Sequence, residues 1–214
     1  MNPYIKIMQS ELGITADGIR GPITDKVLLK AADDGRLKVV EAPKRLIPDA
    51  VTDLPWMAEA KRVLGRHEGR DNGWLKSWLK SDGKTLGDPA KLPWCGDFVE
   101  TCIRLALPGE PFTGALGENP YWARNWLGLG GAIPPTYGAV LVFERGSGGH
   151  VGFAVGQDTT SYFVLGGNQS NAVTVARLEK GRLLGARWPA SYPRPAIPRL
   201  AYMTTGGALS TNEV

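Results

Sequence analysis

The sequence predicts an α+β domain behind a small helical unit. Two observations carry this. From residue 55 to about 107 the apolar residues recur at helical spacing, and from 139 to 176 they form short runs about ten residues apart. Helices followed by strands, and not alternating with them, is the α+β order. The 214 residues suit roughly one domain of 100–200 residues plus a small module.

Residues 1–38 read as the module. Ile5, Met8 and Leu12 fall at helical spacing and Gly13 stops the run. A turn follows at Ala16-Asp17-Gly18-Ile19-Arg20-Gly21-Pro22. A second helix then carries Ile23, Val27, Leu28 and Ala31 on one face. So short a unit buries little core alone. Residues 39–54 read as a linker, with two prolines and no clear period.

The main domain is predicted over 55–190. Asp53 is placed to cap a helix that has Pro55 just inside its start. That helix, Trp56 to about Arg66, puts Trp56, Ala60, Val63 and Leu64 on one face. Trp74 and Trp78, four apart, mark a short helix. Trp94 to Leu107 is a strong helix closed by Pro108-Gly109. Strands are predicted at Ala139–Phe143, around Val151, Phe153 and Val155, at Ser161–Leu165 and at Ala172–Ala176. Residues 191–214 form a Pro-containing polar tail, expected to be loosely held.

Composition excludes several classes. Hydrophobic residues make up 43% and charged residues 21%, which is globular and not disordered. With 28 glycines and 16 prolines, turns are frequent. No run of 18 apolar residues predicts a transmembrane helix. The first residues, Met1-Asn2-Pro3-Tyr4-Ile5-Lys6, do not read as a secretory leader. The net charge of +4 leans towards an acidic polymer. Six basic residues between Arg177 and Arg199 face one acid, Glu179; they read as a solvated face. No reading helix or aromatic sheet motif accompanies them, so nucleic acid is not an expected partner.

The chemistry centres on Cys95. It sits at the predicted N-terminus of a helix, where unpaired N–H groups and the helix dipole favour thiolate and can hold an oxyanion. Phe98, Val99, Cys102 and Ala106 continue its face inward, which makes Cys102 a small buried hydrophobe. Seven residues apart on a helix, the two sulphurs lie about 10.5 Å apart along the axis, too far to bridge. Most lone cysteines are packing residues, so Cys95 alone decides little.

His150 opens a strand, and its same-face neighbours Gly152 and Ala154 are small, leaving room for a substrate. A histidine satisfied at a strand edge is the plainer reading. Asn168 ends the next strand, where its oxygen can orient an imidazole; a turn asparagine is equally ordinary. Together the three follow the cysteine–histidine–polar logic. His67 reads as a surface or capping residue. Trp74, Trp78, Trp122 and Trp126 suit either a groove or a core. Two cysteines and two histidines show no zinc spacing, and no metal or organic cofactor is expected.

Two resemblances add to this. Ile5, Gln9 and Leu12-Gly13, then Asp17-Gly18, Gly21 and Thr24, resemble the peptidoglycan-binding type 1 repeat over residues 3–38. Pro93-Trp94-Cys95-Gly96, Phe98-Val99, Gly138–Phe143, Gly149–Gly156 and Gly167-Asn168-Gln169 resemble the CHAP and NlpC/P60 amidase–peptidase superfamily over residues 56–188. The likeness is nearest to a CHAP type common in phage lysis proteins. It implies a papain-like fold that cuts amide bonds of peptidoglycan. By position, Cys95 is the nucleophile, His150 the base and then acid, and Asn168 the orienter. Main-chain N–H groups of Cys95 and Gly96 would form the oxyanion hole, with Trp94, Gly152 and Trp122 facing substrate. Many members carry a Glu two residues before this Asn; here that position is Gly166.

The resemblance implies an endolysin-like monomer whose partner is bacterial peptidoglycan, with no membrane insertion. It would be made in the host cytoplasm and reach the wall after release. A cysteine effector acting on protein, or a non-catalytic wall-binding or virion component, would share the same fold.

Overall fold

A computed structural model describes residues 53–203, together with Gln9 and Thr15. The chain divides into two compact units, Met1–Val51 and Thr52–Val214. Apart from Gln9 and Thr15, the expected helical module 1–38, the linker as far as residue 52 and the tail beyond residue 203 lie outside the described residues. The second unit is α+β, with helices ahead of one six-stranded antiparallel sheet.

The first helix, α1 (Pro55–Arg62), starts where Pro55 presets its backbone. It buries Trp56, Met57 and Ala60. The Trp56 indole N–H donates to the Gly138 carbonyl at 2.8 Å, and its ring meets Trp188 and Tyr192 edge-on. Two expectations fail here. Leu54, not Asp53, is the N-cap, and no side chain caps the helix. Asp53 instead accepts from the Leu54 N–H and the Tyr137 hydroxyl and pairs with Lys61 at 2.7 Å. The helix also ends four residues early. The chain turns at Gly65, which has a positive φ of 86°, so Leu64 is 50% exposed.

The short helix α2 (Asn72–Leu79) stacks Trp74 on Trp78. The Arg62 and Arg66 guanidinium groups lie over Trp74. Next comes α3 (Cys95–Ala106), with Trp94 as its N-cap. Phe98, Val99, Cys102 and Ile103 are sealed. This helix lies on the sheet, with the Phe98 ring 6.1 Å from that of Phe153. A one-turn helix α4 (Gly114–Glu118) and a 3₁₀ segment (Ala123–Gly128) lead into the strands.

The strands are β1 (Gly131–Ala132), β2 (Val140–Arg145), β3 (Gly148–Gln157), β4 (Ser161–Gln169), β5 (Ala172–Glu179) and β6 (Leu183–Trp188). Their order is β1-β6-β2-β3-β4-β5. The four expected strands form the meander β2 to β5. The sequence reading missed β6, which inserts between β1 and β2 and buries Trp188.

Two bulges shape the site. The β3–β4 pairing slips between Ala154 and Gly156, and the β4–β5 pairing between Gly166 and Gln169. The C-terminal stretch is better held than expected, as far as Met203. The Gln157 N–H donates to the Ala201 carbonyl at 2.9 Å, and the Met203 N–H donates back to Gln157 at 2.8 Å. The β3 edge thus recruits this stretch, and Leu200 is buried beside it. No helix among the described residues is long and apolar enough to cross a membrane.

Candidate active site

Cys95 is the first residue of α3 and is only 5% exposed. Burial pushes its thiol up. Main-chain N–H groups of Val151 and Gly96, the charge of Arg145 and the Cys95 N–H itself act the other way. The sequence expectation of a lowered thiol is therefore corrected for the closed site. The helix N-terminus does favour the anion, but desolvation is the larger effect. Ionisation then needs a base that takes the proton as the sulphur reacts.

The base candidate is His150 on β3, the strand on which the Cys95 helix packs. Val151, whose N–H favours the Cys95 thiolate, follows it in the chain. His150 is fully buried. Its Nε2 lies 3.0 Å from the Gln169 side-chain oxygen. The Gln169 amide N–H₂ donates to the Val164 carbonyl at 3.2 Å and the Thr174 carbonyl at 2.6 Å. Both carbonyls can only accept, so the amide oxygen must face the imidazole. Nε2 therefore carries the ring proton, and Nδ1 is the basic nitrogen.

This corrects the expected orienter. Gln169, not Asn168, meets His150. Counting by two from Val164 through Gly166 arrives at Asn168, because strand side chains alternate. The bulge between Gly166 and Gln169 breaks that count. Asn168 takes a positive φ of 56°, with Ser170 and Asn171 also positive. The chain thus delivers Gln169 to the imidazole, while Asn168 lines a separate cleft with Glu68, Leu92 and Asn171.

Gly166 makes room for the Gln169 amide. A Cβ there would sit 2.8 Å from the Gln169 amide oxygen and 3.4 Å from His150 Nε2. A side chain at 166 and the Gln169 amide compete for one place. A glycine at 166 leaves that place to Gln169.

The expected substrate contacts divide. Gly152 does not open space for substrate; a Cβ there would strike Val164 at 2.7 Å and the Leu165 carbonyl at 2.9 Å. It is small because β4 packs closely. Trp94 is 1% exposed, and its indole N–H donates to Glu68 at 2.7 Å. Its ring lies where a Cβ on Gly167 would go. Trp94 is therefore a buttress under β4 and not a contact surface. Trp122 is 47% exposed and lies beside Gly148. Gly96 has the Tyr121 and Pro120 carbonyls at 2.5 and 2.7 Å from where a Cβ would be.

Other residues take structural roles. His67 bridges to Ala172, and its Nδ1 accepts from the Gly69 N–H at 3.0 Å. Cys102 is a free buried thiol, as is Cys95. The basic stretch is engaged. Arg177 pairs with Asp158, and Arg182, Arg187 and Arg194 donate to main-chain carbonyls of Glu144, Leu129 and Ala132.

Away from Cys95, α3 carries two buried acids. Burial raises Glu100 to about 7, helped by the charges of Asp82 and Asp97. Burial raises Asp97 to about 6, against bonds from the Leu86 N–H and the Thr85 hydroxyl. Asp97 is thus tied to the 85–86 loop and takes no part beside the sulphur. No family model, curated protein or solved structure matches the chain.

Proposed function

We propose that this chain is a cysteine peptidoglycan hydrolase with a papain-like core, which cuts an amide bond of the cell-wall peptide. One observation carries the chemistry. The imidazole has its Nε2 held by Gln169, on the strand against which the Cys95 helix packs. The wall as substrate is supported by the motif likeness of residues 3–38 and 56–188.

The proposed steps use this arrangement. His150 Nδ1 takes the Cys95 proton as the sulphur attacks the amide carbonyl. The N–H groups of Cys95 and Gly96 stabilise the developing oxyanion. The imidazolium then protonates the leaving amine. A water, deprotonated by His150, hydrolyses the thioester and frees the thiol. Gln169 holds the tautomer throughout. No metal or organic cofactor enters these steps.

The test is digestion of purified peptidoglycan by wild type and by Cys95→Ala, with products identified by mass spectrometry. Soluble fragments from wild type alone support the reading, and their masses name the bond. Turnover of protein substrates with none of several walls would favour the effector reading. Wall binding retained by Cys95→Ala, with no turnover by either protein, would favour a binding component.

A further inference from the structure

We propose that residues 120–124 form a strut that fixes the His150 strand against the Cys95 helix, with Arg124 as its positioning residue. This rests on the thiol–imidazole reading above.

One end of the strut abuts the nucleophile. The Pro120 and Tyr121 carbonyls occupy the side-chain space of Gly96, the residue after Cys95. The buried Trp126 donates its indole N–H to the Pro120 carbonyl at 2.8 Å, which anchors that end. The other end grips the base strand. Arg124 Nε donates to the Gly148 carbonyl at 2.6 Å, and Nη2 donates to the Gly146 carbonyl at 3.3 Å. Nη2 also lies 3.5 Å from Glu144. A Cβ on Gly149 would meet Arg124 Cγ at 3.1 Å and Ala123 Cβ at 3.4 Å. Gly148 and Gly149 lead directly into His150.

This stretch of β3 needs such a hold. It pairs with β2 from Gly148 onward, but its pairing with β4 starts only at Phe153↔Leu165. His150 therefore lies where the sheet supports β3 from one side. Arg124 supplies charge-assisted bonds there, and its planar fork reaches two carbonyls at once. Lysine keeps the charge but lacks the planar fork.

The experiment compares wild type, Arg124→Ala and Arg124→Lys, each checked for folding by thermal melt. Cys95 alkylation by iodoacetamide is followed against pH by peptide mass spectrometry, and kcat and KM are measured on peptidoglycan. Wild type is expected to show an inflection in alkylation rate that reports titration of the imidazole beside the sulphur. Arg124→Ala should lose that inflection, and its kcat should fall about 10²-fold with KM nearly unchanged, the size expected for a misplacement of about 1 Å. Arg124→Lys should restore part of both, and it carries the test if Arg124→Ala does not fold. Arg124 variants that keep the wild-type inflection and kcat would overturn the strut. So would a wild type with no inflection. If no protein cleaves peptidoglycan but the inflection still depends on Arg124, the strut stands and the hydrolase reading falls.

Discussion

Cys95 and Cys102 share one helix, lie two turns apart and are both buried, yet their surroundings treat a thiolate differently. Burial pushes both thiols up. At Cys95 the N–H groups of Val151 and Gly96 and the charge of Arg145 oppose that rise. At Cys102 the next largest influence is the Glu59 charge, which adds to it, and Arg62 offsets only part. A cysteine at a helix start, beside N–H groups that favour the anion, can be driven to ionise. One in the helix body cannot, because its helix N–H groups are already bonded. Reactivity follows position and donors and not exposure.

The largest effect should separate the two. Cys95→Ala is expected to lower turnover by at least about 10³-fold. Cys102→Ala should leave turnover within about twofold and cost roughly 1 kcal/mol of stability, for one sulphur lost from a sealed core. Steady-state assays and denaturant melts on both variants check this. A large turnover loss in Cys102→Ala would break the contrast.

The second effect concerns the orienter. Gln169→Ala should lower kcat about 10²-fold, since the imidazole loses its fixed tautomer and orientation. Gly166→Ala should do the same through a Cβ driven against the Gln169 amide. Asn168→Gly tolerates the positive φ and should leave kcat within about threefold. The reverse ranking in kcat measurements would return the role to Asn168.

That pair shows what was legible in the sequence. The helix that carries Cys95 was readable because Pro93 precedes it and its apolar face repeats through Phe98, Val99 and Cys102. His150 was readable from its strand and glycine neighbours. Gln169 was not, because a bulge is a tertiary event that breaks alternation without a local residue that announces it. The three positive-φ residues Asn168, Ser170 and Asn171 were the available signal, since asparagine tolerates that region. Strand β6 was hidden because Gly185 and Arg187 interrupt its short apolar run; Arg187 turns to the Leu129 and Gly130 carbonyls while Trp188 is buried. Gly152 misled because a small residue marks close packing as readily as an opening.

A third effect comes from the acid face of the same helix. Glu100 and Asp97 hold their protons to about 7 and about 6 in the fold, above the usual carboxyl range. The unfolded chain releases them near 4 to 4.5. Their contribution is therefore fully present below that range and is lost as pH rises through about 6 to 7. The Tm should fall by several degrees between pH 5 and pH 7.5. Glu100→Gln should flatten that slope. An unchanged slope in thermal melts would show that these acids ionise freely in the fold.

The smallest effect contrasts two tryptophans. Trp122 is exposed beside Gly148, whereas Trp94 is sealed under β4. Trp122→Ala should raise KM a few-fold with the Tm unchanged. Trp94→Ala should lower the Tm through lost packing. Equal effects on KM would count against a substrate contact at Trp122.

The most direct measurement is acid-quenched capture of the acyl-enzyme. Wild type is mixed with peptidoglycan, stopped within milliseconds to seconds, and mapped by peptide mass spectrometry. The expected result is a wall-peptide mass on the peptide that contains Cys95, absent from Cys95→Ala and never found on Cys102. Wall fragments released with no adduct at Cys95, or released equally by Cys95→Ala, would contradict the thiol mechanism.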